Sequence, residues 1–184
     1  VGEGIHASGV DRDDIFLVSK IWHTALTVGE VHRSIRDSLR RLQTDHVDLM
    51  HVHWPSDDVP MAETFGALQE AREQGLIRHV GVCNFTPSQV RRAAALTELL
   101  TVQVEYHPYL SQDDLLQTCR ELGLALTAYS PLARGRVLDN PVLADIASEV
   151  EATPAQVVLA WLLAKDSVAV IPKAASAAHR RDNW

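Results

Sequence analysis

The chain has 184 residues, 46% of them hydrophobic, enough for one real core, and its length argues for a single domain. A net charge of −7 and a pI near 5.7 offer no basic field for nucleic acid or an anionic membrane surface. No apolar run approaches the roughly 20 residues that span a bilayer, and Cys83 and Cys119 each sit in an apolar setting, so a reduced, cytoplasmic protein is expected.

Residues 1–14 read as the end of a helix and a turn. Gly2-Glu3-Gly4 imitates a dinucleotide fingerprint, but no strand precedes it and it carries no weight. A strand is expected over Ile15–Ser19, delivering Lys20 and Trp22 to its carboxyl end. Thr27 with Glu30 forms a candidate capping box. Val28, Val31, Ile35, Leu39 and Leu42 then recur at helical spacing. The run Val47 to Val52 is a buried parallel strand, stopped by Pro55, which leaves His53 and Trp54 at its carboxyl end. Ligands of open α/β sheets and barrels bind at such ends.

A helix from about Pro60 to Gln74 has Gly75 as its C′ residue. Ile77–Cys83 is a strand, and Thr86-Pro87 opens a helix. Thr101–Glu105 is a strand, and Ser111 with Asp114 opens a helix that ends near Gly123. Leu124–Ala128 is a strand, followed by a loop through Arg134-Gly135-Arg136. Asn140-Pro141 and Thr153-Pro154 start two more helices, and Val168–Ile171 is the last strand. Six strands thus alternate with helices, which means a parallel α/β sheet. A (β/α)₈ barrel typically takes about 250 residues. The pattern fits such a barrel with two units absent, or a complete six-stranded open sheet, and periodicity alone does not choose.

The motifs at the strand ends are more specific. Val18-Ser19-Lys20-Ile21-Trp22, His53-Trp54-Pro55 and Gly81-Val82-Cys83-Asn84-Phe85 resemble the aldo-keto reductase superfamily. Gln103-Val104-Glu105-Tyr106-His107-Pro108, Ala128-Tyr129-Ser130-Pro131-Leu132 and Ile171-Pro172-Lys173 complete the set in order, and the bacterial 2,5-diketogluconate reductase-like branch is the one suggested. The resemblance covers essentially the whole chain. It implies a (β/α)₈ barrel, here incomplete with about six βα units, in which residues 1–184 form part of an NADP-dependent oxidoreductase domain. It further implies NADP(H) as cofactor and hydride transfer that reduces aldehydes or ketones to alcohols. A small-molecule carbonyl substrate and a monomer when full length follow from the same resemblance, while charge and the lack of a long apolar run argue against nucleic-acid and membrane partners and no metal is expected.

In that family a tetrad of Asp, Tyr, Lys and His does the chemistry: Tyr protonates the carbonyl oxygen, Lys held by Asp lowers the Tyr pKa, and His orients the carbonyl. A phenol near pKa 10 needs such a neighbouring cation to work near neutrality. Lys20 matches the family Lys and His53 the family His. The family Asp and Tyr, with two barrel strands, lie ahead of the position of Val1, and the carboxyl-terminal substrate loop lies beyond Trp184. The resemblance therefore implies a fragment of a longer enzyme, the alternative being a truncated, inactive or non-catalytic NADP(H)-binding protein.

Asn84 and Gln103 match the residues that hydrogen-bond the nicotinamide carboxamide, with Cys83 and Val102 standing where Ser and Asn are frequent. Tyr129 resembles the Tyr that stacks on the nicotinamide, and Ser130 and Leu132 the pyrophosphate loop. Lys173 matches the 2′-phosphate cation within a local basic island that includes His179, Arg180 and Arg181, His179 standing where the family has Arg. Ser176 and Asn183 match lesser phosphate and adenine contacts. Trp22 and Trp54 resemble the aromatic walls of the substrate pocket. His51, where the family has an apolar residue, lies on the same strand face as His53 and reads as a packed neighbour. The pair His51-Val52-His53 also suggests zinc, but a metal site needs further ligands from later strands, where Asn84, Gln103 and Tyr129 stand instead.

Overall fold

The computed structural model describes residues 1–184. A short helix α1 (Gly2–Ser8) and a 3₁₀ turn (Arg12–Asp14) lead into β1 (Val18–Ile21), α2 (Val28–Leu42), β2 (Val47–Val52), α3 (Met61–Glu73) and β3 (Ile77–Cys83). Then come α4 (Pro87–Ala94), β4 (Leu99–Glu105), α5 (Asp113–Leu122), β5 (Ala125–Tyr129), α6 (Pro141–Glu149), α7 (Pro154–Leu163), β6 (Val168–Ile171) and α8 (Ala177–Asp182). Strand order in the sheet is chain order, β1 to β6. The expected α/β alternation is therefore observed as six βα units, the repeat of which (β/α)₈ barrels are made. None of the helices is long and apolar enough to cross a membrane. The chain divides into two compact units, Val1–Thr101 and Val102–Trp184, the division falling within the residues of β4.

In the first unit β2 is the organising strand. All six of its residues are buried, as expected of a parallel strand covered on both faces. It pairs in parallel with β1 and β3, with Lys20 opposite His51 and His51 opposite Gly81. Helix α2 buries Val31, Ile35 and Leu39, and α3 buries Phe65, Ala67, Leu68 and Ala71. Each large side chain so removed from water stabilises the fold by about 1.5–3 kcal/mol. The Thr64 hydroxyl donates to the Leu26 carbonyl at 2.9 Å, tying α3 to the loop before α2.

Asp48 is the exception within β2, a carboxylate only 3% exposed. Arg12 Nη2 reaches its Oδ2 at 2.8 Å, Arg78 Nη1 its Oδ1 at 2.9 Å, and the Leu17 amide donates to Oδ2 at 2.8 Å. Arg12 also donates to the carbonyls of Ile15 and His46, so one guanidinium holds the entry to β1 against the entry to β2. Burial pushes the Asp48 carboxyl up, but the amide and the two arginines outweigh it and hold the group below its ordinary value.

In the second unit β5 and β6 pair in parallel, with Tyr129 opposite Ile171. Helix α5 buries Leu115, Leu116 and Cys119, and α7 buries Val158, Leu159 and Leu162. Thr153 and Gln156 form a complete capping box at the start of α7, and the Asn140 side chain caps α6 by accepting from the Leu143 amide at 3.2 Å.

Several boundaries differ from the sequence reading. Strand β1 starts at Val18, not Ile15: upstream the Ile15 carbonyl is taken by Arg12 and Phe16 is exposed, so Lys20 lies inside the strand. Thr27 does precede α2, but its hydroxyl donates to the Glu30 carboxylate at 2.7 Å instead of accepting from the backbone, so no capping box forms. Helix α5 begins at Asp113, since Ser111 accepts the Asp113 amide and Gln112 becomes the N-cap. Strand β4 begins two residues earlier than read and β5 one residue later, and the tail after Lys173 contains α8, capped by Ser176.

Candidate active site

The first unit brings five of the sequence-derived residues, Lys20, Trp22, His53, Trp54 and Asn84, to the carboxyl ends of β1, β2 and β3. Lys20 is the penultimate residue of β1. The His53 amide donates to the Ile21 carbonyl at 2.9 Å, carrying the β1–β2 ladder one step past β2 and fixing His53 beside β1. The Trp22 indole meets the His53 ring edge-on, with centroids 5.0 Å apart and an interplanar angle of 82°, and the His23 ring lies 4.8 Å from its other neighbour, the same indole. Trp22 and Trp54 are 50% and 42% exposed, so two large aromatic surfaces stand open at these strand ends.

Asn84 follows β3 with φ +62°, a left-handed conformation that Asn tolerates better than most residues. Its Nδ2 donates to the His53 carbonyl at 3.0 Å, so the loop after β3 is tied to the loop after β2. Burial lowers the His53 pKa, and the positive charges of Lys20 and His23 lower it further. At neutral pH His53 is accordingly an uncharged imidazole beside an ammonium, with one nitrogen able to donate and one to accept. Such a pair can orient and polarise a carbonyl oxygen. Cys83 is buried and its thiol is pushed up to about 12 by that burial, with Lys20 pulling weakly the other way. It is no thiolate nucleophile.

His51, read as a packed neighbour, is buried, and its Nε2 lies 3.0 Å from the Thr101 hydroxyl. That ring nitrogen is turned to Thr101.

The second unit gathers another set around a cavity of about 560 Å³. Ser130, Leu132, Lys173 and Asn183 line it, together with Arg134, His179 and Asp182. Its floor is a tight turn after β5 in which Ser130, Ala133 and Arg134 all have positive φ, closed by bonds from the Ala133 amide to the Ser130 carbonyl and from the Gly135 amide to the Leu132 carbonyl. Lysine, arginine and histidine lining one cavity form a ready phosphate site. This is a fit for a phosphorylated cofactor made by residues of the chain itself. Ser176 is not part of the lining; its hydroxyl accepts the His179 amide at 3.1 Å and caps α8. Gln103 is buried on β4 and Tyr129 half-buried at the end of β5. Arg134 and Asp182 were not singled out as candidates from the sequence; a cation three residues past the Tyr129-Ser130-Pro131 turn was the available signal for the first.

The aldo/keto reductase family model matches residues 1–184. The methylglyoxal reductase of Yersinia pestis is 38% identical over 188 residues, covering 100% of this chain and 70% of the relative. The glyoxal reductase of Bacillus subtilis is 39% identical over 175 residues, covering 94% of this chain and 63% of the relative. Among solved structures, one provisionally named 2,5-diketo-D-gluconic acid reductase B superposes with a TM-score of 0.97 at 46% identity, covering 100% of this chain and 66% of that one. An aldo/keto reductase of Klebsiella pneumoniae, crystallised with NADP and acetate, superposes at 0.91 with 34% identity, covering 100% and 67%. The chain thus spans about two thirds of the length of the proteins it matches, at 70%, 63%, 66% and 67%. On the match over its whole length, the chain belongs to the aldo/keto reductase family.

Proposed function

We propose that the full-length protein reduces small aldehydes or ketones to alcohols with NADPH, and that Lys20 and His53 are two members of its Asp/Tyr/Lys/His tetrad, the Asp and Tyr lying outside this chain. The observation that carries the reading is the placement of Lys20 and an uncharged His53 at the carboxyl ends of adjacent paired strands, with Trp22 packed edge-on against the imidazole. Bound NADPH would supply the hydride. His53 orients the carbonyl oxygen, and the Lys20 ammonium sets the field in which that oxygen takes up its proton. Trp22 and Trp54 form the apolar wall against which the substrate lies.

Asn84, held by the His53 carbonyl, and Gln103 bind the nicotinamide carboxamide, and Tyr129 stacks on the ring. Ser130 and Leu132 hold the pyrophosphate. Lys173 takes the 2′-phosphate, with Ser176 and Asn183 as lesser contacts near the adenosine end. The same reading carries a cytoplasmic monomer. The relatives named as methylglyoxal and glyoxal reductases make small dicarbonyl compounds the first substrates to try.

The test is NADPH consumption by the purified full-length protein on addition of methylglyoxal, glyoxal or a simple aldehyde. Loss of NADPH matched by alcohol formation is expected. Tight NADPH binding with no consumption for any carbonyl would replace the reductase reading with that of a cofactor-binding protein.

A further inference from the structure

Tyr109 has no part in the reading above, yet two loops of the second unit meet on its side chain. The first, residues 106–112 between β4 and α5, is braced from within. The Gln112 side-chain amide donates to the Glu105 carbonyl at 2.8 Å, the Leu110 amide to the His107 carbonyl at 3.0 Å, and the Tyr109 amide to His107 Nδ1 at 3.2 Å. His107 is buried, and its other ring nitrogen, Nε2, lies 3.4 Å from a Glu105 carboxylate oxygen. A ring that accepts at Nδ1 carries its proton on Nε2, where it can donate to that carboxylate. The loop is therefore a rigid post, and Tyr109, 40% exposed, is the side chain it presents.

The second loop, residues 130–140, runs from β5 to α6, and its Ser130, Leu132 and Arg134 line the cavity of this unit. Its backbone is costly. Ala133 and Arg134 are consecutive non-glycine residues with φ +49° and +57°, where the Cβ crowds the main chain. Such backbone persists only where its surroundings over-determine it, and it clusters at ligand clamps. Two anchors hold it here. Val137 is buried in the core, and Arg136 and Asn140 are gripped by Tyr109.

The grip has two parts. The Arg136 guanidinium carbon lies 4.9 Å from the centre of the Tyr109 ring, a cation held over a π face. Asn140 Nδ2 donates to the Tyr109 hydroxyl at 2.9 Å. The hydroxyl in turn faces the Arg136 carbonyl at 3.5 Å, a long bond that adds direction more than strength. The gripped residues lie directly beyond the strained pair, so the post holds the far end of the strap that carries Arg134 into the cavity.

We propose that Tyr109 is a positioning residue for this cavity: it latches residues 130–136 in their left-handed, cavity-lining conformation and thereby sets the rate at which a bound dinucleotide leaves. The inference rests on the reading of the cavity as the NADP(H) site. It gives the loop after β4 a role in holding cofactor although Tyr109 itself does not line the cavity.

The test uses the full-length protein and reads two rates. One is the release of NADPH, followed by its fluorescence on displacement with excess NADP⁺. The other is tryptic cutting after Arg134 with no cofactor present, which reports opening of the strap. In Tyr109→Ala, which loses both parts of the grip, release is about tenfold faster, association changes by less than about twofold, and cutting after Arg134 speeds up by a similar factor. Cutting elsewhere in the chain stays as in the wild type. Tyr109→Phe keeps the ring under Arg136 and loses the Asn140 bond, so its release is about threefold faster. In a double-mutant cycle, Tyr109→Ala with Arg136→Ala releases NADPH no faster than Tyr109→Ala alone, because the two residues form one contact.

Release or cutting after Arg134 at the wild-type rate in Tyr109→Ala overturns the proposal. So do effects that multiply in the cycle, which would make Arg136 act without Tyr109. If Tyr109→Ala does not fold, Tyr109→Phe decides in the same way. The two readings separate in the wild type: a full-length protein that does not bind NADPH sinks the cofactor assignment and the latch together. One that binds it, and releases it at an unchanged rate from Tyr109→Ala, sinks the latch alone.

Discussion

The two ends of β2 handle buried charge in opposite ways. At the amino end, Asp48 is met by two arginines and a backbone amide at 2.8–2.9 Å, so that every force beyond burial favours its charged form. At the carboxyl end, burial first and then the positive charge of Lys20, with His23, disfavour a proton on His53. Satisfied charge locks a structure, whereas opposed charge leaves a group ready to act on something else. One strand thus carries a clamp at one end and, on the function proposed above, the reactive pair at the other, the division between stability face and active face found across α/β barrels.

That contrast can be broken by exchanging the readouts. Asp48→Ala leaves two guanidinium groups without their carboxylate and should cost about 3 kcal/mol, at the low end for a buried pair since Arg78 is half exposed. Urea unfolding of the full-length protein measures this, and the kcat of the folded fraction should be unchanged. A fall in kcat with no loss of stability would place Asp48 in the wrong half of the comparison. The same group sets an acid limit. Its folded pKa lies below the unfolded value near 3.9, so its contribution is complete above about pH 4 and is lost as pH falls through the folded value. Acid unfolding should therefore flatten below about pH 4 in Asp48→Asn, relative to wild type.

Substitutions in the candidate site should do the reverse, moving function and sparing stability. Lys173→Ala should weaken NADPH binding about tenfold, a loss of about 1.4 kcal/mol, while leaving NADH within about twofold. Fluorescence titration with both cofactors decides, and an equal loss for the two would remove the 2′-phosphate role. The smallest effect is expected at Trp54, which is 42% exposed. Trp54→Ala should change the ratio of kcat/KM between a bulky and a small aldehyde by about fivefold, roughly 1 kcal/mol, with cofactor affinity unaltered. An unchanged ratio would reduce Trp54 to ordinary surface.

The order of elements was legible because its signals are local. Gly75 with φ +73° after α3, and the capping boxes opened by Thr86 and Thr153, are short-range codes that the fold obeys. Lys20 and His53 were legible as residues next to strand ends, although β1 begins later than its apolar pattern implies, because the Arg12 guanidinium claims the Ile15 carbonyl first. The Asp48 clamp was not legible: its partners Arg12 and Arg78 lie 36 and 30 positions away, and an aspartate inside an apolar run gives no hint of which cations meet it. The His51–Thr101 pair, 50 positions apart, was hidden for the same reason. In the cavity of the second unit, Lys173 and Asn183 were found through their motif, whereas Arg134 and Asp182 join them only through the turn after β5 and the winding of α8. Ser176, a phosphate contact by its motif, also caps α8: its hydroxyl accepts the His179 amide and keeps its own proton to donate.

The most direct test of the central claim is Lys20→Met in the full-length protein, with NADPH affinity and the rate of carbonyl reduction measured on the same sample. The assignment predicts affinity within about twofold of wild type and a rate lower by about 10²-fold or more. A variant that binds NADPH and reduces its substrate at near the wild-type rate would contradict it.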